Sequence, residues 1–107
     1  MKLLEAKEDL EDFIEKDTMA LIYFGSKGCG VCTALKPKME EMLESFPKIA
    51  KAQVDVEKSL ELSAAYNIFT IPAILMYVEG KEVLREARYI SVREIKDKLE
   101  RYYNMLF

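Results

Sequence analysis

The chain has two cysteines, Cys29 and Cys32, set as Cys29-Gly30-Val31-Cys32, and no histidine. A cysteine reacts as its thiolate, and two thiols this close can exchange with a disulfide and then close on each other. Residues three apart in the first turn of a helix share a face, within reach of the about 5.5 Å Cα spacing of a disulfide. The unpaired N–H groups and partial positive charge of a helix N-terminus also stabilise a thiolate at Cys29. Gly28 and Gly30 flank Cys29 and let the backbone of another protein come close.

Other uses of two cysteines stay open on spacing alone. A structural zinc site takes about four ligands, so one chain supplies half a thiolate site, and a zinc or iron–sulfur centre would have to bridge two chains. A purely structural disulfide is disfavoured in a reducing compartment, and so short a loop constrains little of the unfolded chain. The pair could also be inert core filler. The missing histidine removes imidazole acid–base catalysis and Cys-His nucleophile pairs. The residues call for no metal and no organic cofactor.

For the dithiol to act, a strand must deliver it and a helix must follow. Met19-Ala20-Leu21-Ile22-Tyr23-Phe24 is an apolar run without polar alternation, which predicts a strand covered on both faces. Three of the four glycines lie between Gly25 and Gly30. From Cys32 the helical period returns through Leu35, Met39, Met42, Leu43 and Phe46, with Pro37 inside the helix and Pro47 as its stop. Upstream, Ala6, Leu10, Phe13 and Ile14 form the stripe of a first helix over 6–16, after a short strand at Lys2–Glu5. Downstream, Ala50–Val56 reads as a second central strand. A short helix capped by Ser59 runs through Tyr66, with Asn67 in the left-handed terminal position. Ala73–Glu79 and Glu82–Arg88 are strands joined by a Gly80-Lys81 turn. Ser91 and Glu94 make a capping box for a last helix carrying Val92, Ile95, Leu99, Tyr102 and Leu106. Strands alternating with helices predict an α/β sandwich, a mixed sheet with helices on both faces.

Composition agrees with one domain over residues 1–107. Half of the residues are hydrophobic and 33% are charged, with 16 Lys and Arg against 19 Asp and Glu and a net charge of −3. Disorder is disfavoured by that apolar content, and the negative sign disfavours nucleic-acid binding. The acid is concentrated in residues 1–17, with seven acids and three bases. No stretch nears the about 18–20 apolar residues of a membrane span, and Glu5 interrupts any secretory hydrophobic segment. The expected location is the cytoplasm.

A strand, Cys-Xaa-Xaa-Cys, a helix with proline five residues on, and a distant Ile-Pro before a hairpin together resemble the thioredoxin family. The resemblance covers roughly Lys2 to Arg101. It rests on Phe24, Cys29, Gly30, Cys32, Pro37, Asp55, Ile71, Pro72 and Gly80. It implies a thioredoxin-like three-layer sandwich with a four- or five-stranded sheet. It also implies a cis peptide between Ile71 and Pro72 beside the dithiol, with the Ile71 backbone offered to an extended substrate segment. Gly28, Gly30, Val31, Ile71 and Pro72 are then the substrate-binding residues.

The departures concern the rim and the proton path. The family's two active-site tryptophans fall on Gly25 and Gly28, the proline of its usual Cys-Gly-Pro-Cys is Val31, and its groove glycine after the last strand is Arg88. Its buried aspartate falls on Tyr23, while Lys51 matches the lysine that pairs with that acid. Tyr23 and Lys51 are therefore candidates for a replacement proton relay at Cys32. Val31 in place of proline predicts a looser helix start and a potential above the roughly −270 mV of thioredoxin.

The function so implied is that of a protein-disulfide reductase. Cys29 is its nucleophile and Cys32 resolves the mixed disulfide. Its partners are disulfide-containing proteins and an electron donor of the thioredoxin-reductase kind, without nucleic acid or membrane, and the chain is read as a monomer. Two alternatives are a glutaredoxin-like enzyme using glutathione and a partner-binding module that has kept the fold without the turnover.

Overall fold

The apolar run Met19–Gly25 is buried along its whole length, as expected of a strand with layers on both sides. In the computed structural model, which describes residues 1–107, this strand is β2. The elements are β1 (Lys2–Leu3), α1 (Lys7–Lys16), β2 (Met19–Gly25), α2 (Gly30–Leu43), β3 (Ala50–Asp55), α3 (Leu60–Ala65), β4 (Ala73–Val78), β5 (Lys81–Ala87) and α4 (Val92–Leu106).

The sheet has five strands in the order β1-β3-β2-β4-β5. β1, β3 and β2 run parallel, and β4 and β5 are antiparallel to their neighbours. Alternation along β2 divides the core. Met19, Leu21 and Tyr23 face Cys32, Leu35 and Met39 of α2 and Ile95 and Leu99 of α4. Ala20, Ile22 and Phe24 face Leu10 and Ile14 of α1 and Leu62 of α3. The result is the expected three-layer sandwich, with α2 and α4 on one face and α1 and α3 on the other.

Several boundaries differ from the sequence reading. α2 ends at Leu43, ahead of Pro47, because the chain turns there: the Phe46 N–H donates to the Leu43 carbonyl at 2.9 Å. Phe46 remains buried and packs edge-to-face on Tyr103 at 5.1 Å. The hairpin turn is Glu79-Gly80 and not Gly80-Lys81. Both residues are left-handed, at φ 51° and 81°, as a two-residue turn matching the strand twist demands, and Val78 pairs with Lys81 across it. A register irregularity between Met76 and Tyr77 moves that turn in a way local composition does not announce.

The Ser59 side chain makes no cap hydrogen bond; its carbonyl instead accepts the N–H of Ser63 at 3.0 Å and the Ser63 hydroxyl at 2.9 Å. Asn67 is left-handed as expected, at φ 58°. Ser91 Oγ accepts the Glu94 N–H at 3.2 Å at the start of α4.

Candidate active site

β2 ends at Gly25, four residues cross the edge of the sheet, and α2 starts at Gly30. Cys29 is the N-cap of that helix, with extended backbone at φ −95° and ψ 107°. Its Sγ accepts the Cys32 N–H at 3.1 Å, while its carbonyl accepts both the N–H and the hydroxyl of Thr33 at 3.0 Å. The sulfur thus occupies the place where a capping oxygen usually satisfies an orphan donor. Cys29 and Cys32 are joined as a disulfide, with Cα atoms 5.2 Å apart. They are not equivalent: Cys29 is half-buried, Cys32 is 3% exposed and Val31 between them is 62% exposed.

Tyr23 lies directly beneath. Its hydroxyl donates to the Cys32 carbonyl at 2.8 Å, and burial pushes its pKa up to about 12. Near neutral pH the phenol therefore keeps its proton, which is directed at a carbonyl. Across the parallel register Tyr23 faces Gln53, while Lys51 stands opposite Leu21. Lys51 shares the sheet face of Tyr23 but lies two residues back along β3. It makes no side-chain hydrogen bond or ion pair. Tyr23 is hydrogen-bonded to Cys32, and Lys51 makes no hydrogen bond or ion pair with either.

Gly25 sits in a crowded position. A Cβ there would stand 3.0 Å from Tyr23 Cε1 and 3.3 Å from Cys32 Cβ, and both neighbours are fixed in the core. Past Gly25 a cavity of about 530 Å³ opens on the β3 side, lined in part by Tyr23, Cys32, Lys36, Pro37, Gln53 and Asp55. Residue types alone do not reveal this recess, because it depends on how α2 leans over β3.

The β5 side is different. Phe24 pairs with Ala73 and Ala73 with Ala87, so the next row across the sheet is Gly25, Pro72 and Arg88. The Ile71–Pro72 peptide is cis, and the Arg88 N–H donates to the Pro72 carbonyl at 2.9 Å. Ile71 packs against the cluster that contains Cys32, as Cys29 does. Its own N–H and C=O have no partner within the chain. Gly28, Gly30 and Val31 lie in the same loop-to-helix segment as the sulfurs, Gly28 and Gly30 exposed. Two aromatic side chains that the sequence reading left out are also bare: Phe69 is 80% exposed and Tyr89 is 87% exposed. Their positions, Phe69 two residues before Ile71 and Tyr89 directly after Arg88, were the available signal.

A dithiol at a helix N-terminus, beside a cis-proline, on a five-stranded sheet between two helical layers defines the thioredoxin fold and its redox site. Comparison with known proteins gives the same class. The Thioredoxin family profile matches residues 2–103. The thioredoxin-like protein YdfQ of Bacillus subtilis (strain 168) is 31% identical over 102 residues, covering 95% of this chain and 91% of that protein. The thioredoxin of Mycoplasmoides gallisepticum is 27% identical over 100 residues, covering 94% of this chain and all of that one. The structure of Fasciola hepatica thioredoxin superposes with a TM-score of 0.85 at 27% identity, over 94% of this chain and 98% of its own. The chain belongs to the thioredoxin family. With a Cys29–Cys32 pair that closes a disulfide, it is a thiol–disulfide oxidoreductase. No helix is long and apolar enough to cross a membrane.

Proposed function

We propose that the chain is a single-domain protein-disulfide reductase of the cytoplasm, acting as a monomer through a mixed disulfide. The Cys29 thiolate attacks one sulfur of a protein disulfide; the Cys29–substrate bond forms, and the departing thiolate takes a proton from water. Cys32 then loses its proton and attacks Cys29 Sγ. The internal disulfide forms, the second substrate thiolate leaves, and two electrons have passed to the substrate. Gly28, Gly30 and Val31 border the attacking sulfur, while Ile71 and Pro72 supply the backbone edge for the substrate segment. An electron donor of the thioredoxin-reductase kind returns the dithiol.

One observation carries this reading: the sulfur at the helix cap is the accessible one, and the other is buried behind it. A helix-capping thiolate is stabilised by the N–H groups aimed at it, so the attacking and resolving roles follow the exposure. Tyr23 enters as a positioning residue: its hydroxyl donates to the Cys32 carbonyl, and burial keeps it protonated near neutral pH. Lys51 has no contact that supports a part in a relay.

The test is a trap. Cys32→Ser protein incubated with a disulfide-containing protein should accumulate a covalent adduct of summed mass that dithiothreitol releases. Equal trapping by Cys29→Ser would overturn the assignment of roles.

A further inference from the structure

Arg88 stands where a residue with a side chain is disfavoured. Its φ is +68°, in the left-handed region that a Cβ penalises and that glycine occupies freely. Its backbone is held there by the hydrogen bond from its N–H to the Pro72 carbonyl. The side chain is exposed and makes no hydrogen bond or ion pair. The neighbouring charges of β5 are engaged. Arg85 is bound by Glu82 and by the carbonyls of Tyr66 and Asn67, and Glu86 is bound by Lys98 at 3.1 Å. An unoccupied guanidinium therefore ends the row Gly25, Pro72, Arg88. On the opposite flank, Glu57 reaches Gly28.

We propose that Arg88 determines substrate preference. The favoured partner is an extended protein segment with an aspartate or glutamate within about three residues of the attacked cysteine. The inference rests on the reductase reading above. Neighbouring strands lie about 4.8 Å apart and extended chain advances about 3.3 Å per residue. A segment that pairs with the free Ile71 backbone therefore runs within reach of Arg88 a few residues from the sulfur. A guanidinium matches a carboxylate with two parallel hydrogen bonds, which an ammonium does not.

Three synthetic peptides test it, identical except for Glu, Ala or Lys two residues from a single cysteine, each prepared as its symmetrical disulfide. Pre-reduced protein is mixed with each in turn, and the rate of Cys29–Cys32 oxidation is followed. The Glu peptide should react about three- to fivefold faster than the Ala peptide in low salt, with the preference shrinking toward unity near ~0.5 M salt. Arg88→Glu should reverse the order, making the Lys peptide fastest. Arg88→Gly suits the left-handed backbone and so keeps the fold; it should lose the preference for Glu. An order that stays the same in all three proteins, or equal rates for the three peptides with the unaltered chain, overturns the role of Arg88. Should the unaltered chain release free thiol from no peptide disulfide faster than Cys29→Ser does, the reductase reading itself has failed.

Discussion

On the β3 flank of the dithiol, Tyr23, Gln53 and Asp55 line a recess that reaches Cys32. On the β5 flank, the same sheet edge presents Ile71, Pro72 and Arg88. At the mouth of that recess the first flank is closely packed around Gly25. A methyl group at Gly25 would press on the tyrosine ring and on the Cys32 side chain, each of which would have to give by a few tenths of an ångström. The second leaves the N–H and C=O of Ile71 unbonded and an arginine unpaired. One side fixes the buried sulfur and the other leaves a partner something to grip. Departures from the usual family residues fall on both sides, with different consequences: Tyr23 and Gly25 repack an interior, whereas Val31 and Arg88 alter what a partner meets.

Four substitutions can sharpen or break this contrast. Cys29→Ser should give the largest effect. Insulin reduction followed by turbidity should drop to the uncatalysed rate, a loss on the order of a thousandfold or more, since a hydroxyl is a poor nucleophile at neutral pH. A residual rate near that of the native protein would mean that the flanks have been assigned around the wrong sulfur.

Gly25→Ala should cost about 1–3 kcal/mol by overpacking, read as a lower urea midpoint. The hydrogen bond from Tyr23 to Cys32 prevents the ring from swinging aside. Unchanged stability would show the β3 flank to be softer than described.

Tyr23→Phe should cost about 1 kcal/mol near pH 7 for the lost buried hydrogen bond. The pH profile of disulfide reduction should keep its shape; a changed profile would restore Tyr23 as a proton relay. Burial raises the folded-state pKa of Tyr23, and of Tyr77, from 10.0 to about 12. The unfolded chain releases those protons first, so their contribution is complete below pH 10 and is lost as the pH rises toward 12. The stability gap between native and Tyr23→Phe proteins should narrow across that window.

Val31→Pro should have the smallest effect. A stiffer helix start that favours the closed pair over the open dithiol by about 0.5 kcal/mol corresponds to a potential about 10 mV more reducing, measured against glutathione. A shift in the opposite direction would mean that Val31 does not loosen the cap.

Most elements could be read from periodicity. The run from Met19 lacks polar alternation because α2 and α1 both cover β2, and the Leu35, Met39, Met42 and Leu43 spacing survives Pro37 because the proline lies on the exposed side of α2. The dithiol was legible for a simpler reason: no other residues in the chain could do its chemistry. What stayed hidden depends on register and on lean between elements. Whether Lys51 or Gln53 faces Tyr23 is settled by the pairing of β2 with β3, which no local pattern specifies. The turn at Glu79-Gly80 depends on a register shift two residues upstream, and Ser59 looks like a cap although its hydroxyl makes no hydrogen bond. Arg88 was visible as a departure from the family, but its left-handed backbone was not.

The outer strands of the sheet bear on self-association. β1 is two residues long and β5 carries Lys81, Glu82, Arg85 and Glu86, and short or charged borders discourage chains from adding to one another as fibrils do. Open main-chain groups along the perimeter would invite that addition. Here the perimeter strands discourage it, while the unbonded N–H and C=O of Ile71 lie at the end of the sheet beside the dithiol cluster.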